Sequence, residues 1–107
     1  MLNDEQLNQK LQASPEARVT KEDIEAHIVS TEFTKFSDTV TICNITLDNG
    51  YSVRGESACV NVDNYDQEIG ETIAQRNAFN QLWPLYGFLL AHTQWMDANP
   101  QTQSAAA

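Results

Sequence analysis

The chain has 107 residues, 41% of them hydrophobic, with six Lys and Arg against fifteen Asp and Glu for a net charge of −9. That length suits one domain, and the charge repels phosphate backbones, which argues against direct nucleic-acid binding, a process that needs Lys and Arg to replace counterions. No stretch is long and apolar enough for a membrane span and no basic start leads into an apolar run, so the expected location is a cytoplasm, with no membrane contact.

In chain order, residues 3–12 carry Leu7 and Leu11 behind the caps Asn3 and Asp4, which predicts a short helix in an otherwise flexible N-terminal segment, 1–18. Thr20 and Asp23 then stand at capping-box positions, with Val19 and Ile24 spaced as a hydrophobic staple. Ile24, Ile28 and Phe33 continue one face, predicting a helix over 21–33 that places His27 at its middle. The β-branched run 39–47 and its partner 51–58 read as a hairpin. A three-residue loop, Asp48, Asn49 and a left-handed Gly50, pairs Ile45 with Val53 and Cys43 with Gly55, sorting one apolar face from a polar one.

A further helix is expected to start between residues 62 and 66, among the Asn and Asp caps, and to run to Pro84, which kinks it or opens a new helix. Gly70, Ala74 and Ala78 form a small-residue stripe suited to close approach. From residue 72 to 96 the single charge is Arg76, which predicts a segment covered on most sides, with most of Trp83, Tyr86, Phe88 and Trp95 in the core. Residues 97–107 lack a packing pattern and read as a disordered tail, leaving 19–96 as the domain.

Several residue groups invite a chemical reading. Gly55, Glu56, Ser57, Ala58 and Cys59 approximate a nucleophile elbow, but the last glycine is replaced by Cys59 and no histidine lies near in sequence; a strand ending in a turn is the better reading, and no catalytic residue is expected. Asp63, Asp66, Glu68 and Glu71 lack the spacing of a calcium loop and suit the first turn of a helix, so no metal is expected. Cys43 and Cys59 lack metal or redox spacing and read as small buried thiols. Arg54 is expected to pair with Glu56, and isolated Arg76 to enter a buried ion pair or an interface; an anion-binding role is the alternative. No cofactor is implied.

Asn49 and Gly50, the run from Gly55 to Cys59, the helix start from Asp66 to Gly70, Ala74 with Ala78, and the segment from Trp83 to Leu90 occur together. In these motifs the chain resembles the gene-product-49/gene-product-66 family of small tailed-phage proteins over about residues 19–90. Where that family often has Ser-Pro before the long helix, Asn61 and Val62 stand here. The resemblance implies an accessory product of a phage or prophage, expressed in the host bacterial cytoplasm, with no family catalytic residues to carry over.

The expected fold is α+β: an N-terminal helix, a β-hairpin, then a long kinked C-terminal helix pair packing on the hairpin. The first functional expectation is a non-enzymatic protein that binds a host bacterial protein, to redirect it or block a defence, through Asp63, Asp66, Glu68, Glu71, Trp83 and Tyr86. The second is a homo-oligomeric binder of a small molecule or signalling nucleotide, with Asn44, Arg54, Arg76 and Asn77 as contacts. A minor virion or assembly component is the third. The small core and the concentration of aromatics near the C-terminus make a homo-oligomer the expected state.

Overall fold

The computed structural model describes residues 1–14 and 16–100 and is α+β, as expected. Helix α1 (Asp4–Gln12) begins at a reciprocal cap: Asn3 accepts from the Gln6 amide while the Gln6 side chain accepts from the Asn3 amide. Its Leu7 and Leu11 remain exposed. Helix α2 (Lys21–Glu25) begins at the Thr20 and Asp23 capping box and buries Ile24 completely.

Here the structure corrects the sequence reading. The helix expected over 21–33 ends at Glu25, and strand β1 (Ile28–Lys35) takes the rest. Val29, Thr31 and Thr34 are β-branched and stiff at χ1, and Ser37 and Asp38 begin a tight return into β2 (Val40–Leu47). Pairing with β2 therefore satisfies the 28–35 backbone better than helix continuation. His27 stands at the α2 to β1 junction rather than inside a helix.

With β3 (Ser52–Ala58) these strands form one antiparallel sheet in the order β1, β2, β3. The β2 to β3 register is the expected one: Ile45 faces Val53, Cys43 faces Gly55, and Gly50 has φ of 88°. Thr41, Cys43, Ile45 and Leu47 alternate inward along β2 and, with Val53, build the core.

A 3-10 turn at Val62–Asn64 precedes α3 (Gln67–Asn80), whose Asp66 N-cap accepts from the Ile69 amide at 3.0 Å. The stripe of Gly70, Ala74 and Ala78 is buried against the sheet. Its closest approach is at Gly55, where an added Cβ would lie 2.1 Å from the Ala78 nitrogen and 2.5 Å from the Ala74 oxygen. Helix and strand backbones touch there because neither side carries a bulky side chain.

The break expected at Pro84 falls just before it, at Gln81, and α4 (Leu82–Ala98) follows. Pro84 has no amide hydrogen for the Asn80 carbonyl and its ring crowds that oxygen, so the distortion lies one turn upstream. The expectation that 72–96 is covered on most sides does not hold for α4: Leu82 is its one buried residue, and Trp83, Phe88 and Trp95 are exposed. The body beneath is a single three-stranded sheet with one helix across it, too narrow to enclose a second helix. Cys43 is buried and burial pushes its thiol pKa up, but Cys59 is only half-buried, its Sγ donating to the Asn61 carbonyl at 3.0 Å beyond the end of the sheet. Of the expected tail, Asp97 and Ala98 close α4 and 101–107 lie outside the described residues. Among the described residues, no helix is long and apolar enough to cross a membrane.

Candidate ligand cleft

The small stripe that seats α3 on the sheet turns a different face outward. Thr72, Gln75, Arg76, Phe79 and Asn80 recur at helical spacing, and Trp83 of α4 extends the row. The Thr20 cap meanwhile sets Lys21 in the first turn of α2, opposite that row. Between them lies an open cleft of about 460 Å³, with Ile28 and Glu25 completing the wall. The Phe79 and Trp83 rings meet edge to face, with centroids 5.9 Å apart. Among the described residues neither Lys21 nor Arg76 makes a salt bridge, so both cations remain available. The buried ion pair expected for Arg76 is not found; its side chain is exposed.

The other expected ligand residues lie elsewhere. Arg54 projects from the open face of the sheet and donates Nη1 hydrogen bonds to Asn44 at 3.1 Å and Ser52 at 3.0 Å. Its partners are neutral hydroxyl and carboxamide groups, not the expected Glu56, because cross-strand Asn44 stands directly opposite. Asn77 donates to the Glu56 carbonyl at 2.8 Å and Gln81 donates to the Arg54 carbonyl. These two side chains occupy acceptors along the free edge of β3. Asn44 and Arg54 thus lie together on the open face of the sheet, Asn77 reaches the β3 edge from α3, and Arg76 is separated from all three on the cleft side of α3.

The acids divide by task. Asp66 caps α3, Glu71 accepts from the Gln67 side chain at 2.6 Å, and Asp63 and Glu68 are exposed. Ser57 sits within β3 opposite Thr41, so the run from Gly55 to Ala58 is regular sheet that ends just before Cys59, rather than a strand-to-helix elbow. Trp83 lines the cleft, and half-buried Tyr86 stacks on His27 with centroids 5.2 Å apart. His27 Nδ1 lies 2.7 Å from Asp48 Oδ2, and the Asp48 amide donates to the His27 carbonyl at 2.9 Å. Burial, then the Asp48 charge, pushes the Tyr86 pKa up.

The sequence reading missed Lys21, Phe79 and the His27 to Asp48 link. Lys21 had a legible signal: a cation in a first helical turn opposes the helix dipole. The His27 link had none, because it depends on where β1 begins.

Residues 19–93 match the phage protein (N4 Gp49/phage Sf6 gene 66) family. No curated protein and no solved structure matches the chain.

Proposed function

We propose, for a chain that belongs to the phage protein (N4 Gp49/phage Sf6 gene 66) family, that it is a non-enzymatic accessory protein that captures a small anionic, ring-bearing molecule of the nucleotide class. The observation that carries this reading is the pairing of Lys21 and Arg76 across one cleft. The chain holds six Lys and Arg in all and a net charge of −9, so its surface as a whole repels anions. Two unpaired cations against the single carboxylate of Glu25, set beside an aromatic pair, reverse that locally. Arg76 can bind phosphate oxygens through two parallel N–H donors, and Lys21 supplies a point charge. The Phe79 and Trp83 rings offer an apolar wall for a base, and Gln75 and Asn80 offer donors and acceptors for its edge.

Isothermal titration of the purified protein with mononucleotides and dinucleotides tests this, with inorganic phosphate and free nucleosides as controls. A nucleotide is expected to bind more tightly than either control. Arg76→Ala and Lys21→Ala are each expected to weaken it at least ~10-fold, equivalent to about 1.4 kcal/mol, with unchanged circular dichroism. Absence of binding across the panel, or affinity unchanged in both variants, rejects the reading.

A second reading, capture of a basic host protein, is favoured by the exposure of Asp63, Asp66 and Glu68 around the start of α3. Its affinity for such a partner falls as salt rises, and charge reversal at Asp63 and Glu68 abolishes it.

A further inference from the structure

The part of the molecule that neither reading uses is the outward side of α4. Leu85, Phe88, His92 and Trp95 lie on it at spacings of three, four and three, the a and d pattern of a two-helix seam. They are not enclosed: Leu85 is 40% exposed, Phe88 70% and Trp95 48%, with Leu89 at 54% beside them. The rings are already ordered into a column, His92 lying 5.5 Å from Phe88 on one side and 5.5 Å from Trp95 on the other. Between residues 82 and 96 the helix carries no Asp, Glu, Lys or Arg.

We infer that α4 pairs with α4 of a second copy, antiparallel and centred on residue 90, to form a two-fold dimer. Three features select this occupant and orientation. First, the seam is a palindrome. Leu85 and Trp95 lie equally far from residue 90, as do Phe88 and His92, and α4 itself runs from 82 to 98 about the same centre. Antiparallel pairing therefore sets Leu85 against the other copy's Trp95 and Phe88 against its His92, the self-complementarity a two-fold interface requires. Second, each copy carries a net charge of −9, and α4 itself brings no carboxylate to the seam between residues 82 and 96, Asp48 standing at the margin of the groove beside Leu85 and Phe88. Antiparallel pairing sends the two acidic bodies to opposite ends of the helix pair, about 25 Å apart along the axis, whereas parallel pairing sets them side by side and Asp97 against Asp97. Third, the accessible area is adequate. The seam and its flanks offer on the order of 500 Å² per copy, near 1,000 Å² in total, the low end for a specific interface and suited to a reversible dimer.

The inference is independent of the Lys21 and Arg76 cleft, and its failure leaves that reading untouched. Sedimentation velocity from low micromolar to several hundred micromolar tests it. Concentration-dependent dimerisation is expected, strengthened at high salt as the repulsion between acidic bodies is screened. Because Phe88 is exposed, Phe88→Glu is expected to keep the fold, checked by circular dichroism, and to weaken association at least tenfold; His92→Glu serves as the second variant. For orientation, Leu85→Cys protein mixed with Trp95→Cys protein, both in a Cys59→Ser background, is expected to give a mixed disulfide, and Leu85→Cys protein alone none. A monomer at every concentration hands this face to another protein and overturns the inference. So does an association that both glutamate variants leave intact, or one in which Leu85→Cys protein cross-links to itself. A larger assembly supports it if the mixed disulfide forms and overturns it otherwise.

Discussion

Gly50 and Gly55 lie five residues apart and are required for opposite reasons, which makes them a sharp pair to test. At Gly50 the space around a new Cβ is empty but φ is 88°, so Gly50→Ala suffers backbone strain alone, about 1 to 2 kcal/mol. At Gly55 the atoms in the way are α3 backbone, which cannot rotate aside. Gly55→Ala is expected to cost about 3 kcal/mol or more by lifting α3 from the sheet. Urea midpoints of the two variants check the order, and equal losses would refute the packing account. Asp23 supplies a pH dependence. The Thr20 amide donates to its carboxylate at 2.9 Å and, with the neighbouring Thr20 side chain, holds its pKa below the ordinary value of about 3.9. A depressed carboxylate contributes stability above the unfolded pKa and loses it as pH falls through the folded one. Wild type and Asp23→Asn should therefore differ most at neutral pH and converge below about pH 4, in thermal melts across that range.

Among the elements, the sheet manages its two edges differently. On β3 the side chains of Asn77 and Gln81 hydrogen-bond the Glu56 and Arg54 carbonyls, closing the edge from the helix side. On β1 the register shifts between Ile28 and Ser30, a bulge that interrupts any continuous edge. Asn77→Ala should cost about 1 kcal/mol, the net worth of one hydrogen bond, and raise amide exchange along β3 and not along β1. The α2 to β1 change of state belongs to the same scale. Ile24 and Ile28 are four residues apart and fit a helix as well as a strand start, so local spacing did not discriminate. The deciding term was the ready partner in β2, a contact distant in sequence, though the β-branched composition of 28–35 was a usable hint.

For the whole molecule, the notable quantity is its reach. The radius of gyration is 18.0 Å and the longest extent 58 Å, against about 13 Å expected for a compact chain of this length. The excess comes from helices that leave the body, α1 and the outer part of α4. Small-angle scattering of the monomeric Phe88→Glu variant should give a radius near 18 Å, and hydrogen exchange should be faster through 87–96 than in α3, because few packed side chains protect that part of α4. A compact radius would show that α4 folds back over the body.

What the sequence alone determined was local or pairwise: the Thr20 and Asp23 cap, the Gly50 turn with its register, the small stripe on α3, and the break associated with Pro84. Each rests on side chains a few residues apart, where sterics and hydrogen-bonding chemistry leave few solutions. Five of the cleft's components, Thr72, Gln75, Arg76, Phe79 and Asn80, could be assigned to one helix from spacing. That Lys21 stands opposite them, that Arg54 and Asn44 lie on another face, and that α4 is left uncovered were decided by tertiary structure. Those facts depend on how far α2 runs before β1 begins and how much apolar surface one three-stranded sheet can cover, both properties of the assembled layers.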